Sequence, residues 1–134
     1  MPEGGCLCGS VRIAFTGEPA VQALCYCGDC RKISGSAFST NVLVPDSNFQ
    51  LILGSPKTYQ KVADSGKKIK SYFCGDCGST CYREGESFPG LKIVKAGTLD
   101  VFDVSPHLEA YVDSRVTWLK PLQGAEQPSS SDEK

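Results

Sequence analysis

Several common features are scarce or missing in this 134-residue sequence. It has one histidine, His107, and one tryptophan, Trp118. No apolar run approaches the roughly 20 residues that a membrane-spanning helix needs. The 14 Lys and Arg residues nearly balance the 15 Asp and Glu residues, which leaves a net charge of −1. The sequence therefore predicts neither nucleic acid nor a membrane as a partner.

A signal peptide and long helical periodicity are absent as well. The first residues, Met-Pro-Glu-Gly-Gly-Cys, lack the basic and apolar segments of a signal peptide. We therefore expect a cytoplasmic protein, in a reducing compartment where clustered cysteines are metal ligands rather than disulfides. The apolar residues alternate with polar ones, as in residues 10–15 and 37–45, and this alternation predicts a mainly β chain.

The predicted elements form one domain, residues 1–122, followed by a disordered tail, residues 123–134. The tail consists mostly of Gly, Gln, Pro, Ser, Asp and Glu, which cannot bury enough apolar surface to fold. Asp29 is the predicted N-cap of a short helix over residues 30–34, which Gly35 ends. The predicted strands are residues 10–15, 21–24, 37–45, 49–53, 57–62, 69–74, 79–83, 91–96 and 107–112.

Cysteine is abundant, with eight residues, and seven of them fall into three local groups. The groups are the pair Cys6 and Cys8, the triplet Cys25, Cys27 and Cys30, and the pair Cys74 and Cys77. Spacings of one or two residues are typical of metal chelation. Thiolates favour zinc, which takes four tetrahedral ligands. We therefore predict two zinc ions per chain.

The two pairs together supply four ligands, which predicts a closed, structural zinc site. Gly78 follows Cys77 and permits the left-handed turn that aims backbone N–H groups at the sulfurs. The triplet supplies three ligands and leaves one position open, which is typical of a catalytic zinc. Cys81 leaves an alternative. It either packs in the core or joins the triplet, in which case both sites are structural and the protein is an interaction module.

Residues beside the triplet have two interpretations. Arg31 and Lys32 could balance the charge of the site or bind carboxylates of a substrate, but a solvated helix face also explains them. Ser34 and Ser36 could contact sulfur, but a turn that ends the helix explains them equally well. We expect a structural role for His107, because a single histidine on a strand is rarely catalytic.

The ordered motifs resemble those of the GFA family, also called the CENP-V/GFA domain, which is named for the glutathione-dependent formaldehyde-activating enzyme. They are Gly-Gly-Cys-x-Cys-Gly-x-Val-Arg, Cys-x-Cys-x-x-Cys-Arg-Lys-x-Ser-Gly, Phe-Cys-x-x-Cys-Gly, Ala-Gly-Thr-Leu-Asp and a late Trp. The resemblance covers about Gly4 to Trp118. Many members have His where this chain has Tyr26, so no role carries over to Tyr26.

The resemblance implies a β-tent of stacked antiparallel sheets with short helical turns. It also implies a structural zinc at Cys6, Cys8, Cys74 and Cys77, and a catalytic zinc at Cys25, Cys27 and Cys30. The implied activity is that of a carbon–sulfur lyase of the S-(hydroxymethyl)glutathione synthase type, with a small thiol such as glutathione as substrate. The resemblance does not specify an oligomeric state.

Overall fold

The computed structural model of the protein describes residues 1–128 and confirms a mainly β chain. The strands and the α-helix in this range are β1 Glu3–Gly5, β2 Arg12–Phe15, β3 Val21–Cys25, α1 Gly28–Ser34, β4 Ser39–Pro45, β5 Phe49–Leu53, β6 Lys57–Val62, β7 Lys68–Phe73, β8 Thr80–Gly85, β9 Leu91–Lys95 and β10 Leu108–Ala110. Short 3-10 turns are Asp46–Asn48, Ala96–Thr98 and Val112–Ser114. These turns and α1 match the expected short helical segments.

All the predicted strands are present, with bounds that shift by no more than two residues. Alternating apolar residues identify most of them, because one face of such a strand packs against the core. Strand β6 differs, because all six of its residues are exposed. Strand β1 is the addition that the sequence did not predict. It has three residues, two of them glycine, so it carries no alternation that could indicate a strand.

The strands form two sheets. A three-stranded sheet has the order β1-β2-β5, and a seven-stranded sheet has the order β10-β3-β4-β9-β8-β7-β6. All neighbours are antiparallel except β10, which runs parallel to β3. The expected antiparallel sheets are therefore confirmed, with one parallel pair at an edge.

The main core lies between the two sheets. Val11, Ile13 and Phe15 supply the small sheet's side of it, and Val44 and Val94 belong to the large sheet. Strand β4 is buried on both faces, because one face meets this core and the other lies beneath α1. The large sheet thus has a second, partly covered face on the side of α1.

An ion pair shows that the large sheet curls around α1. Lys61 on β6 contacts Asp29 on α1, with 2.5 Å between Nζ and Oδ1. Strand β6 is five strands away from β3, the strand that precedes α1, and five flat intervals of about 4.8 Å would separate them by about 24 Å. The curl brings the far edge of the sheet to the helix, so α1 sits in a concave face.

The predicted tail begins within the described residues. The N–H of Glu126 donates to the carbonyl of His107, and the N–H of Glu109 donates to the carbonyl of Glu126, at 2.9 Å each. Residues 129–134 of the predicted tail lie outside the described residues, and the boundary at residue 122 stays a prediction. Within residues 1–128, no helix is both long and apolar enough to cross a membrane.

Candidate metal centres

Two turns from different sheets bring the two cysteine pairs together. Cys6 and Cys8 lie in the turn between β1 and β2, and Cys74 and Cys77 lie in the turn between β7 and β8. Their four sulfurs all lie within 4.8 Å of one another. We call these residues the four-cysteine cluster.

The sulfur spacing of this cluster fits a tetrahedral metal. The Sγ atoms of Cys6 and Cys8 are 3.6 Å apart, and those of Cys8 and Cys74 are 3.7 Å apart. A tetrahedral zinc with Zn–S bonds of about 2.3 Å separates its sulfurs by about 3.8 Å. The four-cysteine cluster could therefore hold one metal ion.

The turn around Cys74 has the backbone geometry that the sequence predicts. Gly78 has a left-handed φ of 80° and donates its N–H to the carbonyl of Cys74 at 2.9 Å. The N–H groups of Asp76 and Cys77 point at the Cys74 sulfur, at 3.4 and 3.5 Å. These donors stabilise a thiolate.

Two serine hydroxyls that the sequence analysis missed also contact this cluster. Ser10 Oγ lies 3.2 Å from the sulfurs of both Cys8 and Cys74, and Ser79 Oγ lies 3.3 Å from that of Cys77. Hydrogen bonds from Ser79 lower the pKa of Cys77 to about 5. Although burial raises it, bonds from the Val11 N–H and the Ser10 hydroxyl lower the pKa of Cys6 to about 7. The ionised thiol, which binds metal, is thus favoured.

The triplet lies where β3 passes into α1, and its three sulfurs also lie within 4.8 Å of one another. We call Cys25, Cys27 and Cys30 the three-cysteine cluster. Cys25 ends β3, Cys27 precedes α1, and Cys30 is buried in its first turn. Within residues 1–128, no other His, Cys, Asp or Glu belongs to this group. The cluster could hold a metal ion with three protein ligands.

The helix cap differs from the prediction. Helix α1 begins at Gly28 rather than at residue 30, and its N-cap is Cys27, whose sulfur accepts the N–H of Cys30 at 3.4 Å. The predicted N-cap, Asp29, is wrong because this residue lies inside the helix and its carboxylate pairs with Lys61. The end of the helix at Gly35 is confirmed, with a left-handed φ of 63°.

Cys81 lies in the main core and outside the three-cysteine cluster. It is fully buried and packs in the same apolar group as Cys6 and Cys74. Burial, together with the nearby thiols of the four-cysteine cluster, raises the pKa of Cys81 to about 12. The side chain is therefore a neutral, apolar part of the core in this geometry.

Beneath the three-cysteine cluster, the concave face of the large sheet carries buried polar residues. We call them the polar floor: Ser39, Asn41, Ser71, Arg83 and Lys95. Lys95 Nζ donates to Asn41 Oδ1 at 2.7 Å, and Asn41 Nδ2 donates to Ser39 Oγ at 3.0 Å. Arg83 Nε donates to Ser71 Oγ at 2.9 Å. The strand register places Ser39 opposite Cys25 and Lys95 opposite Asn41.

The polar floor acts on the charge of the cluster. The thiols of Cys25 and Cys27 donate to the Cys30 sulfur, and the Lys95 ammonium adds to their effect, so the pKa of Cys30 falls well below its ordinary value. Hydrogen bonds to its neighbours and burial raise the pKa of Cys25. Burial lowers the pKa of Lys95, and the Cys30 thiolate opposes this shift. Within the cluster, the Cys30 sulfur is thus the one for which negative charge is most favoured.

The other residues considered from the sequence lie outside the cluster. Arg31 and Lys32 are exposed on α1. His107 is exposed, and its Nε2 accepts the N–H of Gln22 at 3.4 Å at the start of β3. Ser34 Oγ donates to the carbonyls of Cys30 and Phe38, at 2.7 and 3.1 Å, and so closes the end of the helix.

Tyr26 supports the loop between the first two cysteines of the triplet. It is almost fully buried, meets Phe38 edge-on at 5.8 Å, and lies under the guanidinium of Arg115, which is 5.2 Å from the ring centre. Arg115 in turn pairs with the fully buried Glu109. The contact partners of Tyr26 are distant in sequence, so no local pattern indicates this role.

Comparisons with known proteins indicate one family. The sequence profile of the family "GFA: Glutathione-dependent formaldehyde-activating enzyme" matches residues 1–114. A curated protein of Aspergillus flavus, named "Putative glutathione-dependent formaldehyde-activating enzyme", is 31% identical over 100 residues, which are 71% of this chain and 51% of that protein. One of Sordaria macrospora with the same name is 30% identical over 89 residues, 64% of this chain and 37% of that protein. The chain thus spans about half the length or less of these relatives.

A solved structure supports the fold. The crystal structure of a Rhodobacter sphaeroides protein matches with a TM-score of 0.59 at 21% identity, over 75% of this chain and 90% of that chain. The profile match covers most of the sequence, and both cysteine clusters lie within it. The chain therefore belongs to the family of glutathione-dependent formaldehyde-activating enzymes.

Proposed function

We propose that the protein is a zinc-dependent enzyme that joins a small thiol, such as glutathione, to formaldehyde. In this reaction a carbon–sulfur bond forms between the thiol sulfur and the carbonyl carbon. The π electron pair of the carbonyl moves to its oxygen, which takes the proton that the thiol loses. The product is S-hydroxymethylglutathione, and the reverse reaction is that of a carbon–sulfur lyase.

The observation that carries this proposal is the incomplete ligand set of the three-cysteine cluster. Three sulfurs converge, and no fourth ligand residue of the described chain joins them. A tetrahedral metal held there would keep one position for a substrate. The position of Cys81 in the core, beside the other cluster, supports this arrangement over a closed site of four cysteines.

The thiolate-only ligand sets favour zinc in both clusters. In the three-cysteine cluster, bound zinc would take a substrate thiol as its fourth ligand and lower the pKa of that thiol. In the four-cysteine cluster, zinc would be structural, because four cysteines complete its shell. The roles of the two clusters differ because their ligand counts differ.

The residues of this chain would prepare the site in three ways. The three cysteines would hold the metal at the end of β3 and the start of α1. Lys95 places a positive charge beside the thiolates, which offsets part of their negative charge. The packing of Tyr26 against Phe38 and Arg115 fixes the loop that carries Cys25 and Cys27.

Cobalt substitution tests the open position, because cobalt absorption reports the number of coordinated sulfurs. Glutathione added to the cobalt-loaded protein should change the spectrum of the three-cysteine cluster and leave that of the four-cysteine cluster unchanged. With formaldehyde present, the protein should speed the formation of S-hydroxymethylglutathione, measured by NMR. A Cys81→Ala variant should respond as the unmodified protein does.

The opposite result is equally clear. Suppose that glutathione does not change the cobalt spectrum, and that Cys81→Ala removes one sulfur ligand from the metal at the three-cysteine cluster. That metal would then have a closed shell of four cysteines. The protein would then be a zinc-stabilised interaction module instead of an enzyme.

A further inference from the structure

Arg83 and Lys95 are the buried cationic side chains of the described chain, and neither has a carboxylate partner. Arg83 is 5% exposed and Lys95 is 8% exposed. The ion pairs within residues 1–128 use other cations: Arg12, Lys61, Lys92 and Arg115. Even Lys92, which keeps more exposure, contacts the two carboxylates of Asp46 and Glu84. The two least exposed cations are thus the ones without protein counter-charges.

Charge counting shows that one of the two cations remains unbalanced. A buried cation without a counter-charge is costly, so negative charge is expected nearby. Before a substrate thiol binds, three thiolates and one divalent metal would sum to a charge of −1, which balances a single cation. Lys95 is that cation, because it lies on β9, one strand nearer to the cluster than Arg83 on β8. Arg83 is left without an anion.

The orientation of Arg83 leaves part of its guanidinium available. Its Nε donates to Ser71, and within residues 1–128 its two Nη groups have no hydrogen-bond acceptor. Among residues 1–128, Arg115 Nε is the only fully buried side-chain nitrogen or oxygen atom without a hydrogen-bond partner. The Nη groups of Arg83 also lack a partner, so they are not fully buried and solvent reaches them. The outer edge of a guanidinium is the part that binds a carboxylate with two parallel hydrogen bonds.

Arg83 faces the same side of the sheet as the three-cysteine cluster. It pairs with Ile93, two residues before Lys95 on β9, so Arg83 and Lys95 share a face. Ser39, opposite Cys25, shares it too through Asn41 and the pairing of Asn41 with Lys95. The ion pair of Lys61 with Asp29 folds the sheet around α1 above this face. An anion bound by Arg83 would therefore lie inside the concavity that holds the cluster.

We propose that Arg83 is the anchor of an anion subsite that binds a carboxylate of the thiol substrate. The Nη groups hold the carboxylate, and the sulfur of the same molecule takes the fourth position at the three-cysteine cluster. Ser71 fixes the guanidinium through Nε, and Lys95 stays with the cluster. This subsite rests on the proposed function and adds to it the residue that positions the substrate through its carboxylate.

The test compares glutathione with its diester, in which both carboxylates are esterified. Each is titrated into the cobalt-loaded protein, and the spectrum of the three-cysteine cluster gives its affinity. Glutathione should bind at least tenfold more tightly than the diester. In Arg83→Gln, the two should bind equally, with the affinity for the diester unchanged. Arg31→Gln, which removes an exposed cation on α1, is the matched control and should keep the difference.

The outcomes separate the subsite from the proposed function. Equal affinities in the unmodified protein would overturn the subsite and leave the function in place. The same holds if folded Arg83→Gln keeps the preference for glutathione. If neither thiol changes the spectrum, the proposed function fails and the subsite fails with it. The diester comparison uses the unmodified protein, so it can overturn the subsite even if Arg83→Gln does not fold.

Discussion

Lys95 places a buried positive charge near the three-cysteine cluster. Its ammonium is buried, bonded to Asn41, and close enough to lower the pKa of Cys30. Thiolates in one cluster repel one another, and a fixed cation beside them reduces the cost of this repulsion. Groups of this kind, outside the ligand set, commonly change metal affinity by about 10- to 100-fold.

We expect Lys95→Met to weaken metal binding at the three-cysteine cluster by about tenfold or more, because the thiolates lose their counter-charge. Competition with a coloured chelator measures the affinity. Lys32→Met removes an exposed lysine from α1 and should leave the affinity unchanged. Equal losses in both variants would mean that only general surface charge matters.

The sequence contains a signal for the burial of Lys95. Lys92 and Lys95 are three residues apart in the strand over residues 91–96, so they must point to opposite faces. In a strand buried on both sides, at least one such lysine is buried. Arg83 had no comparable signal, because it is a single cation in its strand and nothing in the local sequence shows which face of β8 is covered.

At the scale of elements, one junction holds the three-cysteine cluster and two turns hold the four-cysteine cluster. The three-cysteine cluster lies within one strand-to-helix junction, where Cys27 also caps α1. The four-cysteine cluster joins the β1–β2 turn to the β7–β8 turn, and so joins the two sheets. Loss of metal from the four-cysteine cluster would remove a connection between the two sheets, whereas loss from the three-cysteine cluster would affect one junction.

Replacement of one cysteine by serine in each cluster should therefore have unequal effects. In Cys27→Ser, serine is itself a good N-cap, so helix α1 should persist while the metal is lost. The melting temperature should fall by no more than about 4 °C, which corresponds to about 1 kcal/mol at this chain length. Cys77→Ser should lower it by more than about 10 °C, because a structural metal contributes folding free energy.

Calorimetry and elemental analysis of the two purified variants check this prediction. If Cys27→Ser melts as early as Cys77→Ser, the three-cysteine cluster is structural. The enzyme proposal would then lose its support.

The types of the elements could be predicted from the sequence, whereas some of their ends could not. Strands β5 and β6 have the predicted bounds although nearly all of their residues are exposed, so burial does not set their pattern. Cys27 as N-cap was missed because cysteine is not among the usual capping residues. The parallel pairing of β10 with β3 joins segments about 80 residues apart in sequence, which no local pattern indicates.

At the scale of the whole molecule, metal removal should occur in two stages. The three-ligand site has an open position and should release its metal first, while the fold stays intact. The four-ligand site should release its metal only at higher chelator concentration, together with unfolding. Metal content by elemental analysis should start near two per chain, and circular dichroism should change only in the second stage.

A single stage, in which both metals and the fold are lost together, would contradict this order. It would mean that the two clusters form one cooperative unit. The curl of the large sheet, which brings β6 to α1, would be the physical route for such coupling.

The order of the strands in the sheets was beyond sequence reasoning, although the cysteine groups were not. Local spacing is sufficient to divide seven cysteines into three groups, because chelation needs neighbours. The order of seven strands and the position of α1 in a concave face depend on pairings between distant segments. The polar floor follows from this order, so its residues emerge only in the folded molecule.

The layout of the four-cysteine cluster has a consequence for the protein during its synthesis. The ligand set is complete only at Cys77, 69 residues after Cys8, so at about 5–20 residues per second the ribosome needs roughly 3 to 14 s to complete it. The three-cysteine cluster, by contrast, is complete once residue 30 has been made. The nascent chain can therefore take up its first metal at the open cluster, while Cys6 and Cys8 remain without their partners until the β7–β8 turn is translated.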